Sequence, residues 1–256
     1  MNKNERLKRI INLLRQKNAV TIRELTGLMD VSEMTVRRDL SLLEGDNVIE
    51  IIPGGAVLKL RDEPDGERYV VEHEEIRRTR EKVRIGKKAA SMIKPNDTII
   101  LDVGSTTEYI TKFIPDDLPV TILCYALNIL VDIYRKKSSN PIFSGGYFHE
   151  NTLMFESPEG IELIKKIRAD KSFISAGGFL ETLGVTCPHY YEVETKKAVI
   201  NSSKTRILVM DSTKFGKAKA AHFADMKDFD IIITDNELSE EYSRIIREAG
   251  IELILV

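Results

Sequence analysis

Hydrophobic positions in the first sixty residues keep a helical spacing three times and then change to strand-like runs. Leu7, Ile10, Ile11 and Leu14 follow i, i+3, i+4, i+7 and predict a first helix. Thr21-Ile-Arg-Glu24 reads as a capping box opening a short second helix, with Ile22, Leu25, Leu28 and Met29 inward and a tight turn at Asp30-Val31. Ser32 is a good N-cap for a third helix, whose Val36, Leu40 and Leu43 fall on one face at about 100° per residue. Val48 to Ile52 and Ala56 to Leu58 flank Pro53-Gly54-Gly55 as the arms of a β-hairpin. Three helices and a hairpin predict a winged helix-turn-helix over residues 1–58.

Lys59 to Arg68 is polar, contains Pro64 and Gly66, and reads as a linker. From Tyr69 to Met92, Ile76, Val83, Ala90 and Met92 suggest a helix with Arg77-Arg78-Thr-Arg80-Glu-Lys82 in its middle. That basic cluster reads as a solvated face, with contact to phosphate or a partner subunit as the alternative. The linker and the start of this helix are assigned to residues 59–80. Beyond them, over 81–256, apolar strands alternate with helical periods. The strands are Thr98 to Val103, Val120 to Cys124, Pro141 to Ser144, Ser172 to Ala176, Arg206 to Asp211, Ile231 to Asp235 and Ile251 to Val256. The helices are Thr106 to Phe113, Ala126 to Lys136, Pro158 to Ile167, Glu192 to Ser202 and Ser239 to Ala249. Such alternation predicts an α/β domain built on a largely parallel sheet covered on both faces.

Composition narrows the function. The chain of 256 residues is 42% hydrophobic and 30% charged, which describes a soluble globular protein with room for two cores. Net charge is −2, yet residues 1–60 carry ten Lys or Arg against eight Asp or Glu. Affinity for nucleic acid would then come from a few placed cations and from more than one copy, giving a homo-oligomer of at least two chains. Cys124 and Cys187 have no metal spacing, and no leader precedes the first helix, so reduced thiols in a cytoplasm are expected. The four histidines are scattered, no stretch is apolar enough for a membrane, and neither metal nor cofactor is called for.

Two sets of residues carry chemistry. On the third helix, Met34, Arg38 and Ser41 lie opposite the apolar face, with Thr35, Arg37 and Leu42 beside them. Guanidinium forks can meet a guanine edge, and hydroxyls near a helix N-terminus can hold phosphate. Thr21, Ser32, Met34, Thr35, Arg37, Arg38, Ser41 and the wing glycines Gly54 and Gly55 are therefore the candidate contacts to double-stranded operator DNA. In the second half the strand ends are small and polar: Asp102-Val-Gly104-Ser105-Thr106-Thr107, Cys124-Tyr125-Ala126, Ser144-Gly145-Gly146, Ser175-Ala-Gly177-Gly178 and Asp211-Ser-Thr-Lys214. A ligand of a parallel sheet sits at those ends, and a Gly turn running into a helix suits phosphate. A phosphorylated sugar fits that lining. Its candidate contacts are Asp102, Gly104, Ser105, Thr106, Thr107, Cys124, Tyr125, Asn128, Gly145, Gly146, Gly177, Lys196, Asp211 and Lys214.

Ser-x-x-Thr-Val-Arg-Arg-Asp-Leu from Ser32, followed by the Gly-Gly-Ala wing, resembles the DeoR family of bacterial transcriptional regulators. The resemblance continues through Glu81-Lys82, Asp102-x-Gly-Ser-Thr-Thr, the Gly-Gly at 145–146, Asp170-Lys-x-Phe, Glu194-Thr-Lys196 and Asp211-Ser-x-Lys-Phe-Gly. It implies an effector domain similar in fold to ribose 5-phosphate isomerase, and a repressor, not an enzyme, released by a sugar phosphate. Cys124-Tyr125-Ala126-Leu127-Asn128 and Phe148-His149 look closest to the deoxyribonucleoside branch of that family, which implies deoxyribose 5-phosphate as the leading effector. The competing reading is a sugar-phosphate isomerase with an accessory DNA-binding domain, with Lys196, Lys214 and Asp102 as acid, base or electrostatic stabiliser.

Overall fold

The computed structural model describes residues 3–17, 19–45, 49–52, 54–58 and 78–256. The chain divides into two compact units, Met1–Arg68 and Tyr69–Val256.

The first unit contains α1 (Lys3–Lys17), β1 (Ala19–Thr21), α2 (Ile22–Met29), α3 (Glu33–Gly45), β2 (Ile49–Ile52) and β3 (Gly55–Leu58). Local chemistry sets the breaks. The Thr21 hydroxyl accepts the Glu24 amide at 3.1 Å and opens α2, and Asp30, at φ 50°, closes it in a left-handed conformation that a short polar side chain tolerates. The wing is a three-stranded antiparallel sheet of order β1-β3-β2, because Ala19–Thr21 pairs with β3. That third strand has no counterpart in the sequence reading, and Val48 and Pro53 of the predicted hairpin lie outside the described residues. Ile10, Leu14, Leu25, Val36, Leu40, Leu43 and Ile49 form the core. Leu28 departs from expectation: it is 43% exposed, since α2 is short and its buried stripe runs through Ile22, Leu25 and Met29.

The second unit is organised on a seven-stranded sheet of order β15-β14-β12-β9-β4-β5-β6, every adjacent pair parallel. Its strands are β4 (Thr98–Leu101), β5 (Val120–Cys124), β6 (Ser139–Phe143), β9 (Ala169–Ser175), β12 (Ser203–Val209), β14 (Ile231–Thr234) and β15 (Glu252–Leu255). Helix α4 (Thr79–Ala90) leads into β4, and α5 (Ser105–Phe113), α6 (Leu127–Ile133), α7 (Pro158–Lys166), α8 (Val193–Asn201) and α9 (Glu240–Glu248) lie between later strands. Two insertions complete the unit: a hairpin of β7 (Tyr147–His149) and β8 (Met154–Glu156), and a small antiparallel sheet of β10 (Gly178–Leu180), β11 (Gly184–Cys187) and β13 (Ala221–Ala224). Ile99, Ile100, Leu101, Phe173, Ile174 and Leu208 are wholly buried, each worth roughly 1.5–3 kcal/mol of transfer free energy.

Strand order fixes where a ligand can sit. From β4 the chain moves outward through β5 and β6, then returns to the other side of β4 and proceeds through β9, β12, β14 and β15. The direction reverses between β4 and β9, and the crevice beyond their carboxyl ends is the topological switch point of the sheet.

Helix α4 needs a correction. Its buried face is Lys82, Ile85, Gly86, Ala89 and the expected Ala90, while Val83 and Met92 are only half-buried, and Gly86 is required because a Cβ there would lie 2.7 Å from Cβ of Tyr109 on α5. The basic cluster is correspondingly not a solvated face: Lys82 is buried and Arg78 is ion-paired, while Arg80 is exposed. Arg77 and the linker from Lys59 to Arg68 lie outside the described residues.

Candidate functional site

Each unit carries one candidate site. On α3, the Ser32 hydroxyl accepts the Thr35 amide at 3.3 Å, and Met34, Arg37, Arg38 and Ser41 are exposed, Met34 by 76%. The Arg37 guanidinium donates to Glu33 Oε1 at 2.7 and 3.0 Å, one turn back, and the Ser41 hydroxyl donates to the Arg37 carbonyl at 2.9 Å. Arg38 therefore stands nearer the middle of the open face, with Arg37 tethered at its side. Behind them Asp39 is buried and receives a two-pronged bond from Arg6 of α1, at 2.7 and 3.1 Å. That pair sets α3 against α1, a role that the Arg-Arg-Asp run gives no sign of in the sequence. Gly54, at φ 87°, makes the wing turn, and a Cβ on Gly55 would lie 2.2 Å from the Val20 carbonyl oxygen.

In the second unit a small polar pocket opens at the switch point. Gly104, Ser105 and Thr106 line it from the end of β4, Ser175 to Gly177 from β9, Met210, Asp211 and Lys214 from β12, and Lys82 from α4. Gly104, at φ 148°, permits the close approach of the two turns, since a Cβ would sit 2.5 Å from Oγ of Ser175. The Lys82 ammonium, 1% exposed, donates to Oγ of Ser105 at 2.9 Å. A buried cation thus stands at the N-terminus of α5, where unsatisfied amides already favour negative charge. Sequence reasoning left Lys82 off its roll of contacts. Its spacing to Ile85 and Ala89, on one helical face, was the available signal.

Behind Ser175 the chain buries a second set of groups. The Lys196 ammonium and the Tyr125 hydroxyl both donate to the carboxylate of Asp102, as do the Ser175 amide at 2.8 Å and its hydroxyl at 3.3 Å. Lys196 also donates to the Ser175 carbonyl at 3.1 Å and lies 3.7 Å from Glu192. Burial opposes its charge, but the carboxylates of Asp102 and Glu192 outweigh burial and raise its pKa. Burial pushes the Glu192 carboxyl up to about 7 against the pull of Lys196, and burial with the neighbouring Asp102 charge drives the Tyr125 phenol well above its usual value. Asp102, Tyr125 and Lys196 are brought together, as a polar core under the pocket wall and not on the lining itself.

The remaining candidates divide. Ser105, Thr106, Gly177, Asp211 and Lys214 line the pocket. Thr107 is buried with its hydroxyl donated to the Gly104 carbonyl at 2.8 Å, so it braces the turn. Cys124 is buried and its thiol pushed up to about 12 by that burial, which leaves it protonated. Asn128 donates to Glu108 at 2.8 Å. Gly145 and Gly146, at φ 67° and 127°, serve the entry to the β7–β8 hairpin, where a Cβ on Gly146 would lie 2.3 Å from the Glu156 carbonyl oxygen.

A helix-turn-helix unit with a wing, joined to a parallel α/β unit with a polar pocket at its switch point, defines a class of DNA-binding transcriptional regulators with a sensor domain. Residues 6–61 match the DeoR-like helix-turn-helix domain and residues 77–236 the DeoR C terminal sensor domain. The chain belongs to the DeoR family. It is 34% identical over 248 residues to the HTH-type transcriptional regulator GolR of Listeria innocua, covering 96% of each chain. It is 29% identical over 250 residues to the Deoxyribose operon repressor of Escherichia coli, covering 98% of this chain and 97% of that one. Among solved structures, ribose 5-phosphate isomerase from Plasmodium falciparum matches 52% of each chain at 18% identity, with a TM-score of 0.38.

Proposed function

We propose that this regulator is a repressor whose operator complex is loosened by a phosphorylated sugar, with deoxyribose 5-phosphate the leading candidate. The observation that carries the reading is a buried ammonium, Lys82, at the N-terminus of α5 in a pocket otherwise lined by hydroxyls, main chain, Asp211 and Lys214. A phosphate seated on the Gly104–Thr107 turn meets helix amides and that cation together. The sugar then extends toward Gly177, Asp211 and Lys214. Asp102, Tyr125 and Lys196 hold Ser175 and the turn in place. Being committed to one another, the same three groups are poor candidates for acid and base, which favours a sensor over an isomerase.

In this reading residues 1–58 read DNA, 59–80 connect, and 81–256 sense the effector. The third helix enters the major groove, Arg38 meeting bases and Arg37 phosphate, and two or more copies engage repeated half-sites in the cytoplasm. Similarity to the Deoxyribose operon repressor of Escherichia coli supports deoxyribose chemistry. Calorimetry with deoxyribose 5-phosphate, ribose 5-phosphate and unphosphorylated deoxyribose tests the effector class. The phosphorylated sugars should bind and the free sugar should not. Equal binding of the free sugar removes the phosphate seat, and no binding of any pentose phosphate removes the effector.

A further inference from the structure

Arg78, at the N-terminus of α4, is held in an uncommon way. It has φ 56° and ψ 35°, a left-handed conformation that non-glycine residues seldom adopt, and it stands at the N-cap of α4 with no side-chain cap bond. Its guanidinium binds across the sequence, 3.1 Å from Asp235 Oδ1, 2.8 Å from Glu237 and 3.5 Å from Glu81. Asp235, at the end of β14 and fully buried, accepts the Ser212 amide at 2.7 Å and the Ser212 hydroxyl at 2.8 Å. Ser212 lies between Asp211, which lines the pocket, and Lys214, which lines it too. The Arg78 fork itself reaches Oγ of Ser212 at 3.5 Å. Four positions further along α4, Lys82 enters the same pocket. The start of α4 is therefore tied to the pocket twice, once by Lys82 and once through Arg78, Asp235 and Ser212.

We propose that Arg78 is a coupling residue: through Asp235 it clasps the point where the connecting segment joins the effector unit to the Asp211–Lys214 loop. A ligand contacting Asp211 and Lys214 displaces or tightens Ser212. The clasp converts that change into a change at the N-terminus of α4, which is covalently continuous with the segment leading to the DNA-reading unit. This rests on the effector reading above. Two-state behaviour of such a clasp is required for coupling, since proximity alone transmits nothing. The three-way pairing needs the planar fork of arginine, so lysine preserves charge and volume while loosening the clasp.

The test uses full-length protein and a duplex selected by it from random-sequence DNA. Duplex affinity is measured with and without saturating deoxyribose 5-phosphate for the parent, Arg78→Lys and Asp235→Asn. The sugar should weaken the parent's complex about fivefold or more and the variants' complexes less than about twofold, with sugar affinity and sugar-free duplex affinity within about threefold of the parent. Variants that keep the parent's ratio, or that lose sugar binding outright, overturn the proposal. A second arm needs no ligand: Arg78→Lys should speed hydrogen exchange of the Ser212 amide by about threefold or more, and unchanged exchange overturns the clasp. If no pentose phosphate binds the parent, the effector reading fails and this second arm alone decides the clasp.

Discussion

Replacing Lys196 by methionine tests the polar core beneath the pocket. Methionine keeps the length of the side chain and removes the charge. Asp102 and Glu192 are then left buried, with Asp102 0% and Glu192 3% exposed, and without the cation between them. Removing one member of a buried ion pair costs about 3–5 kcal/mol, because the partner charge stays desolvated. For a unit of this length each kcal/mol moves the midpoint by about 2–4 °C, so the melting temperature should fall by about 6–20 °C at pH 7.5. The pH dependence has a definite sign. Glu192 titrates at about 7 in the folded chain against an ordinary 4.5, so the native state binds more protons between those values. Stability contributed by this group therefore falls as pH rises through that window. Without the Lys196 charge the Glu192 carboxyl rises further, and the deficit of the variant should shrink as pH drops from 8 toward 5.5. Differential scanning calorimetry of both proteins across that range is the assay. A midpoint within about 2 °C of the parent at pH 7.5, a change of less than about 1 kcal/mol, would refute the burial argument.

Lys82→Met should lower the affinity for deoxyribose 5-phosphate by about tenfold or more while leaving duplex binding intact, as isothermal calorimetry and fluorescence anisotropy would show. Arg38→Ala should reduce discrimination between selected and scrambled duplexes by about 5- to 150-fold, whereas Arg37→Ala should weaken both duplexes alike; equal binding of both variants and the parent removes α3 as the reading element. Glu192→Gln should flatten the fall in melting temperature of the parent between pH 5 and 7, and an unchanged slope would place that titration elsewhere.

The seven parallel strands were legible because most are short apolar runs closed by a small polar turn, and all seven appear in the sheet. Val120–Cys124 holds to the residue. The α3 face was legible for the same reason of period: Val36, Leu40 and Leu43 are all buried. What escaped were features made by pairing at a distance. Ala19–Thr21 becomes a strand only because β3 lies beside it, and the small sheet of β10, β11 and β13 joins segments more than thirty residues apart. Charged residues misled in both directions. Lys82 reads as one more solvated cation, yet it is buried at the pocket. Asp170 and Lys171, part of the family resemblance, accept the Thr98 amide at 2.9 Å and donate to Asp97 at 2.6 Å, at the end of the sheet opposite the pocket. Lys196 and Asp102, both read from the sequence as effector contacts, are bonded to each other behind the lining, since periodicity cannot tell a lysine on a pocket wall from one sealed behind it.

The measurement that bears most directly on the central claim is the anisotropy of a labelled selected duplex bound by the full-length protein, titrated with deoxyribose 5-phosphate and, in parallel, with unphosphorylated deoxyribose. The phosphorylated sugar should loosen the complex by about 5- to 150-fold and the free sugar should leave it unchanged, while by reciprocity the duplex should weaken sugar binding by the same factor. A complex whose affinity is untouched by any pentose phosphate that calorimetry shows to be bound would contradict the account.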